Sequence, residues 1–478
     1  MIIGSEYNQD LQSIVISYYN DKGEIEFLTK KLHKSDLYNW TISDRPTTDK
    51  NWDGRYVKRT ESKGGRWLSQ YRIQEIMQDK LSMEEMNKIY SGDNFPKKNY
   101  LDIEIELLDE SFPDPQEVKM PVNMITFCNE KNIVYVLTTM KESDGSTYNP
   151  EEVQRMQDEI HEYFDKVEPL KKGDDKILKQ KFDVKYVPFK TEVEMMSFFF
   201  HRALPKLPFI TGWNVINFDW VYLMNRCKKL KIDPFLGLMS KKTISKRTQV
   251  PLHTGILDYM EVMQQHKPLK VIENFKLDYI SKLLLNAGKL ETKYESFLEA
   301  QKDVFNFTKY NIIDVILVKM LDDKLSLLDV ALSISGVAQI DVNKVYSPVH
   351  ITEILMCREF LKKGLKMAKD GGSTTDDEQT TYAGAYVAKP VPGHYDLVAC
   401  YDFASMYPNI QMQFNISPDS YIGKKDDTKA KGTEIFTRND TLFTQDFDGV
   451  AKTILNRLYN ERVATKTVMK KMKENHEQ

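Results

Sequence analysis

Cysteine is scarce, positive charge is not in excess, and long apolar runs are missing. Among 478 residues only Cys128, Cys227, Cys357 and Cys400 are cysteines, far apart and without a CxxC pair. That excludes a disulfide framework and a cysteine zinc site, and it predicts reduced, mostly buried thiols in a cytoplasmic protein. The N-terminus, MIIGSEYNQD, lacks the basic start and apolar run of a signal peptide, and no stretch approaches a membrane span. No internal repeat stands out. The formal net charge is −3, so no global basic field announces a polyanionic partner. A near-neutral body of this size can still hold a local basic channel.

What is present is ordinary for a globular chain: 41% hydrophobic and 29% charged residues, with length for roughly two to four domains. Residues 12–28 predict two strands around an Asn-Asp-Lys-Gly turn. The stretch 41–65 is polar and predicts loops, and a short helical pattern follows at 82–90. From about 99 to 332, strand-like runs (LDIEIEL, NIVYVLT, FITGW) alternate with helical patterns, the signature of an α/β domain. The polar run DGGSTTDDEQTT at 370–381 marks a boundary. Strands are expected around 382–402, and a helix over 448–473. The fold class is therefore α/β multidomain.

Three short motifs carry the chemistry. In LDIEIEL, Asp102 and Glu104 are two apart on a predicted strand, so both carboxylates face the same side. In TGWNVINFD (211–219), a strand ends at a Gly-Trp-Asn turn and Asp219 opens the next helix, where the dipole favours an anion. In YNIID (310–314), Tyr310 and Asp314 are one helical turn apart on one face. Taken singly, each has a structural explanation: an acidic edge strand, a helix-start carboxylate, a half-buried tyrosine beside a solvated aspartate. Together and in this order they resemble the DEDDy 3′→5′ exonucleases.

That resemblance implies an RNase H-like exonuclease domain over 99–332 and hydrolysis of a phosphodiester. Such hydrolysis needs a nucleophile made at neutral pH and a clamp for charge on the attacking and leaving oxygens. Two metal ions about 4 Å apart supply both. Hard divalent cations want oxygen ligands, hence carboxylates and no Cys or His. By the resemblance, Asp102, Glu104, Asp219 and Asp314 hold two Mg2+ (or Mn2+), and Tyr310 orients the attacking water. Asn214 and Phe218 lie near the 3′-terminal nucleotide.

The segment YDFASMYPNI (401–410) resembles the first catalytic motif of family B DNA polymerases, usually DxxSLYPSI. The match implies that Asp402 and the Phe403 carbonyl ligate metal and that the backbone at Ser405 and Met406 cradles phosphates. Tyr407 then lies under the sugar and excludes a ribose 2′-OH. Met406 and Asn409 stand where leucine and serine are usual, which puts fine nucleotide discrimination in question. YAGAY (382–386) resembles the junction contacting template backbone, through Gly384 and Tyr386. Arg462 and Lys466, four apart near the end, resemble the pair that family B fingers present to a triphosphate. Residues 452–478 hold seven Lys or Arg against three Glu, and Lys470, Lys471 and Lys473 read as a solvated face.

The phrases FPDP (112–115), YLMNR (222–226), ILDY (256–259), YNIIDV (310–315) and FNISPD (414–419) extend the resemblance to replicative polymerases of T-even-like phages. The likeness covers residue 99 to the end. By position, 1–98 is an N-terminal mixed domain to which 333–380 returns, 381–447 is a partial palm and 448–478 the first fingers helix. A KxxxNxxYG helix, a DTD strand turn and a thumb are absent from the sequence, and the stripe Val450, Ile454, Leu458, Val468 and Met472 should be buried. The expectation is one chain of a split polymerase in a phage-infected bacterial cytoplasm. A second polypeptide would complete the palm, fingers and thumb and the Mg2+-dependent polymerase site. Implied partners are single-stranded 3′ ends, primer-template DNA, dNTP and a sliding clamp, with no membrane. The alternatives are a stand-alone single-strand exonuclease with a vestigial DNA-binding palm, or a nucleic-acid-binding remnant without turnover.

Overall fold

In the computed structural model the chain forms two compact units, residues 1–33 with 80–351 and residues 34–79 with 352–478. The structure describes residues 1–62, 68–90, 95–234, 242–245, 248–266, 272–291, 294, 296–368, 386–424, 435–436 and 440–476. Residues 1–33 and 34–79 thus pack into different units.

The first unit opens with an antiparallel meander of Ile2–Asn8, Ser13–Tyr19 and Ile25–Lys31. The Asn20 side chain accepts the amides of Lys22 and Glu24 at 2.9 and 3.0 Å and closes the turn between the last two strands. Gly23 sits there at φ +70°, where a Cβ would meet the Phe95 carbonyl oxygen at 2.6 Å.

The body of this unit is a six-stranded mixed sheet. Its strands are β1 (Lys98–Ile105), β2 (Val122–Asn129), β3 (Ile133–Thr138), β4 (Asp183–Pro188), β5 (Phe209–Gly212) and β6 (Gly255–Asp258). They lie in the order β6-β5-β1-β2-β3-β4. β1 is antiparallel to β2 and β2 to β3, while β6, β5 and β1 run parallel, as do β3 and β4. Every residue of β2 from Val122 to Cys128 is buried, because side chains cover both of its faces. Helix α1 (Asp219–Leu230) follows β5, and the 22-residue α2 (Val304–Leu325) packs against β1 and β2. α2 is buried on nearly all sides, polar Asn311, Asp314 and Asp322 included. Asp303 caps its start by accepting the Asn306 amide at 3.2 Å.

In the second unit, strand Tyr38–Ile42 pairs antiparallel with Val57–Glu61, which lies within the stretch 41–65 that reads as polar loop. Two helices carry the later motifs, α3 (Met406–Gln413) and α4 (Val450–His476). The FNISPD phrase proves to be the cap of α4. Asn415 Oδ1 accepts the Gly449 amide at 2.8 Å, Asp419 that of Val450 at 3.0 Å, and Ser417 Oγ that of Ala451 at 3.0 Å.

Two expectations need correction in this unit. No strand forms over the described residues 386–402, where Tyr386, Val387, Val391, Leu397, Val398 and Tyr401 are 74–96% exposed and Tyr395 is 61% exposed. An isolated extended run has no ladder to join, so strand-forming residues alone do not make a strand. The α4 stripe also divides. Val450 and Ile454 are buried against Phe360 with Leu458 beside them, whereas Val468 and Met472 are exposed.

The core makes a direct stability test. Ile125, fully buried on β2, should lose about 2–5 kcal/mol on Ile125→Ala through lost transfer energy and the residual cavity. Met83→Ala, at an 80% exposed position, should stay within about 0.5 kcal/mol of the parent. Urea unfolding followed by circular dichroism measures both; equal losses would mean that β2 is not the core strand.

Candidate active site

Alternation along β1 sets the geometry. Leu101, Ile103 and Ile105 are buried in the core, so Asp102 and Glu104 stand together on the other face. α2 crosses that face and brings Tyr310, Asn311 and Asp314 to it. The fully buried Asn311 amide donates to Asp102 Oδ2 at 2.6 Å and sits 3.4 Å from Glu104 Oε1. Asp219 is the first residue of α1, and its Oδ1 accepts the Ile103 amide, between the two β1 acids, at 3.1 Å. The four carboxylates therefore share one cleft.

A tight turn positions Asp219. β5 runs close beside β1, and a Cβ on Gly212 would lie 2.3 Å from the Leu101 carbonyl oxygen. Asn214 follows in the left-handed region at φ +60°. Asp258, at the end of β6, accepts the amides of Asn214 at 3.0 Å and Ile216 at 3.2 Å, so the ILDY aspartate clamps the turn. α1 in turn holds the FPDP loop: Asn225 donates to the Pro115 carbonyl at 2.8 Å and Arg226 to that of Val118 at 2.9 Å.

Lys289 completes the cleft and has no counterpart in the sequence motifs. Its ammonium donates to Asp314 Oδ2 at 2.5 Å and to the Tyr310 hydroxyl at 2.9 Å. Phe297 meets the Tyr310 ring edge-on at 5.7 Å and Phe307 stacks on it at 6.4 Å. Beside Glu104 opens a cavity of about 500 Å³ lined by Phe112, Phe218, Phe297 and Phe307. Phe112 is 81% exposed and lies 5.4 Å from the Phe218 ring.

Electrostatics mark the cluster as under tension. Burial and the charges of Asp219, Glu104 and Asp314 push the Asp102 carboxyl well above the usual range. Burial and Asp314 push Glu104 up to about 8, and burial pushes Asp219 up to about 7. The Lys289–Asp314 pair divides: attraction to Asp314 raises the ammonium despite burial, while burial outweighs that attraction at Asp314, which rises to about 6. Asp314 Oδ1 is buried with no hydrogen-bond partner. An orphaned oxygen among mutually repelling carboxylates is the donor chemistry that a hard divalent cation satisfies. Among the described residues no three acidic, His or Cys side chains stand around one point for an ion; Asp314 is paired with Lys289 and Asp102 accepts from Asn311.

The second set of site residues is not gathered in this way. Asp402, Phe403, Met406 and Tyr407 are exposed, as are Arg462 and Lys466 one turn apart on α4. Ser405 stands at the start of α3 at φ +52° without a side-chain capping bond, and Asn409 donates to the Ala404 carbonyl at 2.7 Å, bracing the same turn. Tyr386 is 92% exposed, and Gly384 lies outside the described residues.

The raised carboxyls predict a pH signature. Each folded pKa lies above its unfolded value, so the folded chain holds protons that the unfolded chain has released. This contribution to stability is complete below about pH 4 and is lost as pH rises toward 8. Glu104→Gln removes one repelling charge, so in chelator it should raise the thermal midpoint by several degrees at pH 8.5 and little at pH 4. Calorimetry across that range decides; a variant less stable at pH 8.5 would contradict the repulsion.

Comparison with known proteins bears on the family to which these regions belong. Residues 68–280 match the exonuclease domain of DNA polymerase family B, and residues 345–478 match DNA polymerase family B. The first match contains Asp102, Glu104 and Asp219 and ends before α2; the second contains Asp402, Arg462 and Lys466. The DNA-directed DNA polymerase of Escherichia phage RB69 is 26% identical over 446 residues, covering 84% of this chain and 46% of that protein. That of Enterobacteria phage T4 is 26% identical over 383 residues, covering 75% and 40%. The DNA polymerase of Archaeoglobus fulgidus is 28% identical over 273 residues, covering 55% and 32%. This chain thus spans less than half the length of these relatives. With both matches in family order, the chain belongs to DNA polymerase family B and carries that family's exonuclease domain.

Proposed function

We propose that this chain hydrolyses single-stranded DNA from the 3′ end at the Asp102–Glu104–Asp219–Asp314 cleft, on an RNase H-like sheet. The observation that carries the reading is the convergence of four carboxylates with one buried oxygen unpaired. Divalent cations, held by these four side chains, would supply a hydroxide nucleophile and charge stabilisation on the phosphate. The chain's own groups do the rest. Lys289 and the rings of Phe297 and Phe307 fix Tyr310, whose hydroxyl would hold a water beside Asp314. Phe112 and Phe218 offer ring faces to unpaired bases, and the cavity beside Glu104 has room for a terminal nucleotide.

The reading extends to synthesis. The T-even-like phage type, with a cytoplasmic site of action, is the reading that the RB69 and T4 similarities favour. Among the described residues no helix is long and apolar enough to cross a membrane. The exposed apolar run 386–403, with Val468 and Met472 on α4, supports a cover supplied by a second polypeptide bearing the rest of the palm, fingers and thumb. In that complex Asp402 and the Phe403 carbonyl would ligate metal, with Ser405, Met406, Arg462 and Lys466 facing the triphosphate and Tyr407 the sugar.

Two experiments test the proposal. The purified chain with Mg2+ or Mn2+ should shorten a 5′-labelled single strand stepwise, and Asp102→Ala with Glu104→Ala should abolish this; unchanged shortening sinks the site. Co-expression with a family B C-terminal chain should give a stable complex that extends a primer. There Asp402→Asn should stop extension and spare hydrolysis, because different residues build the two sites. Hydrolysis without any such complex would favour the stand-alone exonuclease.

A further inference from the structure

Asn311 lies inside the YNIID motif, yet neither the motif chemistry nor the hydrolysis mechanism uses it. It is a polar side chain with no exposed surface, facing α2's contact with β1. Its Nδ2 donates to Asp102 Oδ2 at 2.6 Å and lies 3.4 Å from Glu104 Oε1. Its Oδ1 is buried without a partner. A buried amide that leaves its own oxygen unsatisfied costs stability unless the other end earns more. The reversed amide would set a carbonyl oxygen against two acids, so the nitrogen is the end that belongs there.

We propose that Asn311 is a positioning residue that straps Asp102 and Glu104 together and thereby sets the divalent-cation affinity of the cleft. The proposal rests on the reading of these carboxylates as metal ligands. Two acids two residues apart on a strand repel and swing away from each other when ionised. A neutral N–H donor between them offsets that repulsion without adding a cation that a metal would have to displace. Lys289 cannot do this, because its ammonium pairs with Asp314 and its charge competes with a metal for that carboxylate. Hydrogen bonds behind metal ligands commonly govern affinity by about 10–100-fold.

The test is Mn2+ binding to the full chain, read as free Mn2+ by electron paramagnetic resonance, beside hydrolysis of a single strand. Asn311→Leu keeps the branched shape of the side chain and removes the donor. It should weaken Mn2+ binding and raise the half-saturating Mn2+ for hydrolysis by about 10–100-fold, leaving the rate at saturating Mn2+ within about threefold, a split that general loosening of the fold does not produce. Thr308→Val perturbs the same buried helix at its Val304 hydrogen bond and should leave Mn2+ affinity unchanged. If Asn311→Leu fails the circular dichroism check for folding, Asn311→Ala takes its place with the same readouts. Unchanged Mn2+ affinity overturns the proposal, as does a fallen saturated rate at unchanged affinity. If the parent chain binds Mn2+ but hydrolyses nothing, the nuclease reading fails while the binding arm still decides the role of Asn311. Mn2+ binding that survives Asp102→Ala with Glu104→Ala overturns both.

Discussion

Four carboxylates that repel one another in a poorly hydrated cleft are the constraint around which the first unit is arranged. Left alone, each buried negative charge costs several kcal/mol. The protein meets that cost with specific donors: the Ile103 amide for Asp219, the Asn311 amide for Asp102, and the Lys289 ammonium for Asp314. These donors come from β1, α2 and the segment before α2. The strand, the helix and the α1 turn must therefore meet at one height above the sheet. Even so the compensation is partial, and the carboxyls stay above their ordinary range.

Much of the apparent motif content turns out to be support for that arrangement. Asp258 is as buried and acidic as the cleft residues, yet its oxygens are consumed by backbone amides of the turn before α1. Arg226 joins the Glu192 carboxylate through two 2.7 Å bonds and holds the Val118 carbonyl, anchoring the loop that carries Phe112. A charge-assisted, forked pair of this kind fixes direction as well as distance. The FNISPD phrase works in the same way at the start of α4, where three side-chain oxygens replace the missing helical acceptors.

The two sets of site residues differ because one is closed within its own unit and the other is not. The four cleft acids sit on a strand, a helix start and a helix that all belong to the first unit. Asp402 sits in an extended run whose flanking apolar side chains are exposed, without a neighbouring strand among the described residues. A helix satisfies its own backbone, which is why α3 and α4 form. A strand depends on hydrogen bonds from another segment.

The sequence by itself determined the alternating β1 face that sets Asp102 beside Glu104, the turn that opens α1 at Asp219, and the helical spacing of Tyr310 and Asp314. These are local periodicities, written in the order of neighbouring residues. It also marked α4 and the strands on either side of Asn20–Gly23. Lys289 was invisible, because its segment carries no motif and its partners lie 21 and 25 residues away. Asn311 was in view within YNIID, but its use depends on Asp102 lying across the cleft, 209 residues earlier. The strands expected around 382–402 do not form over the described residues 386–402, for the same reason that Lys289 was missed. Propensity is local, whereas strand pairing, burial and the meeting of charges are decided only when distant segments come together.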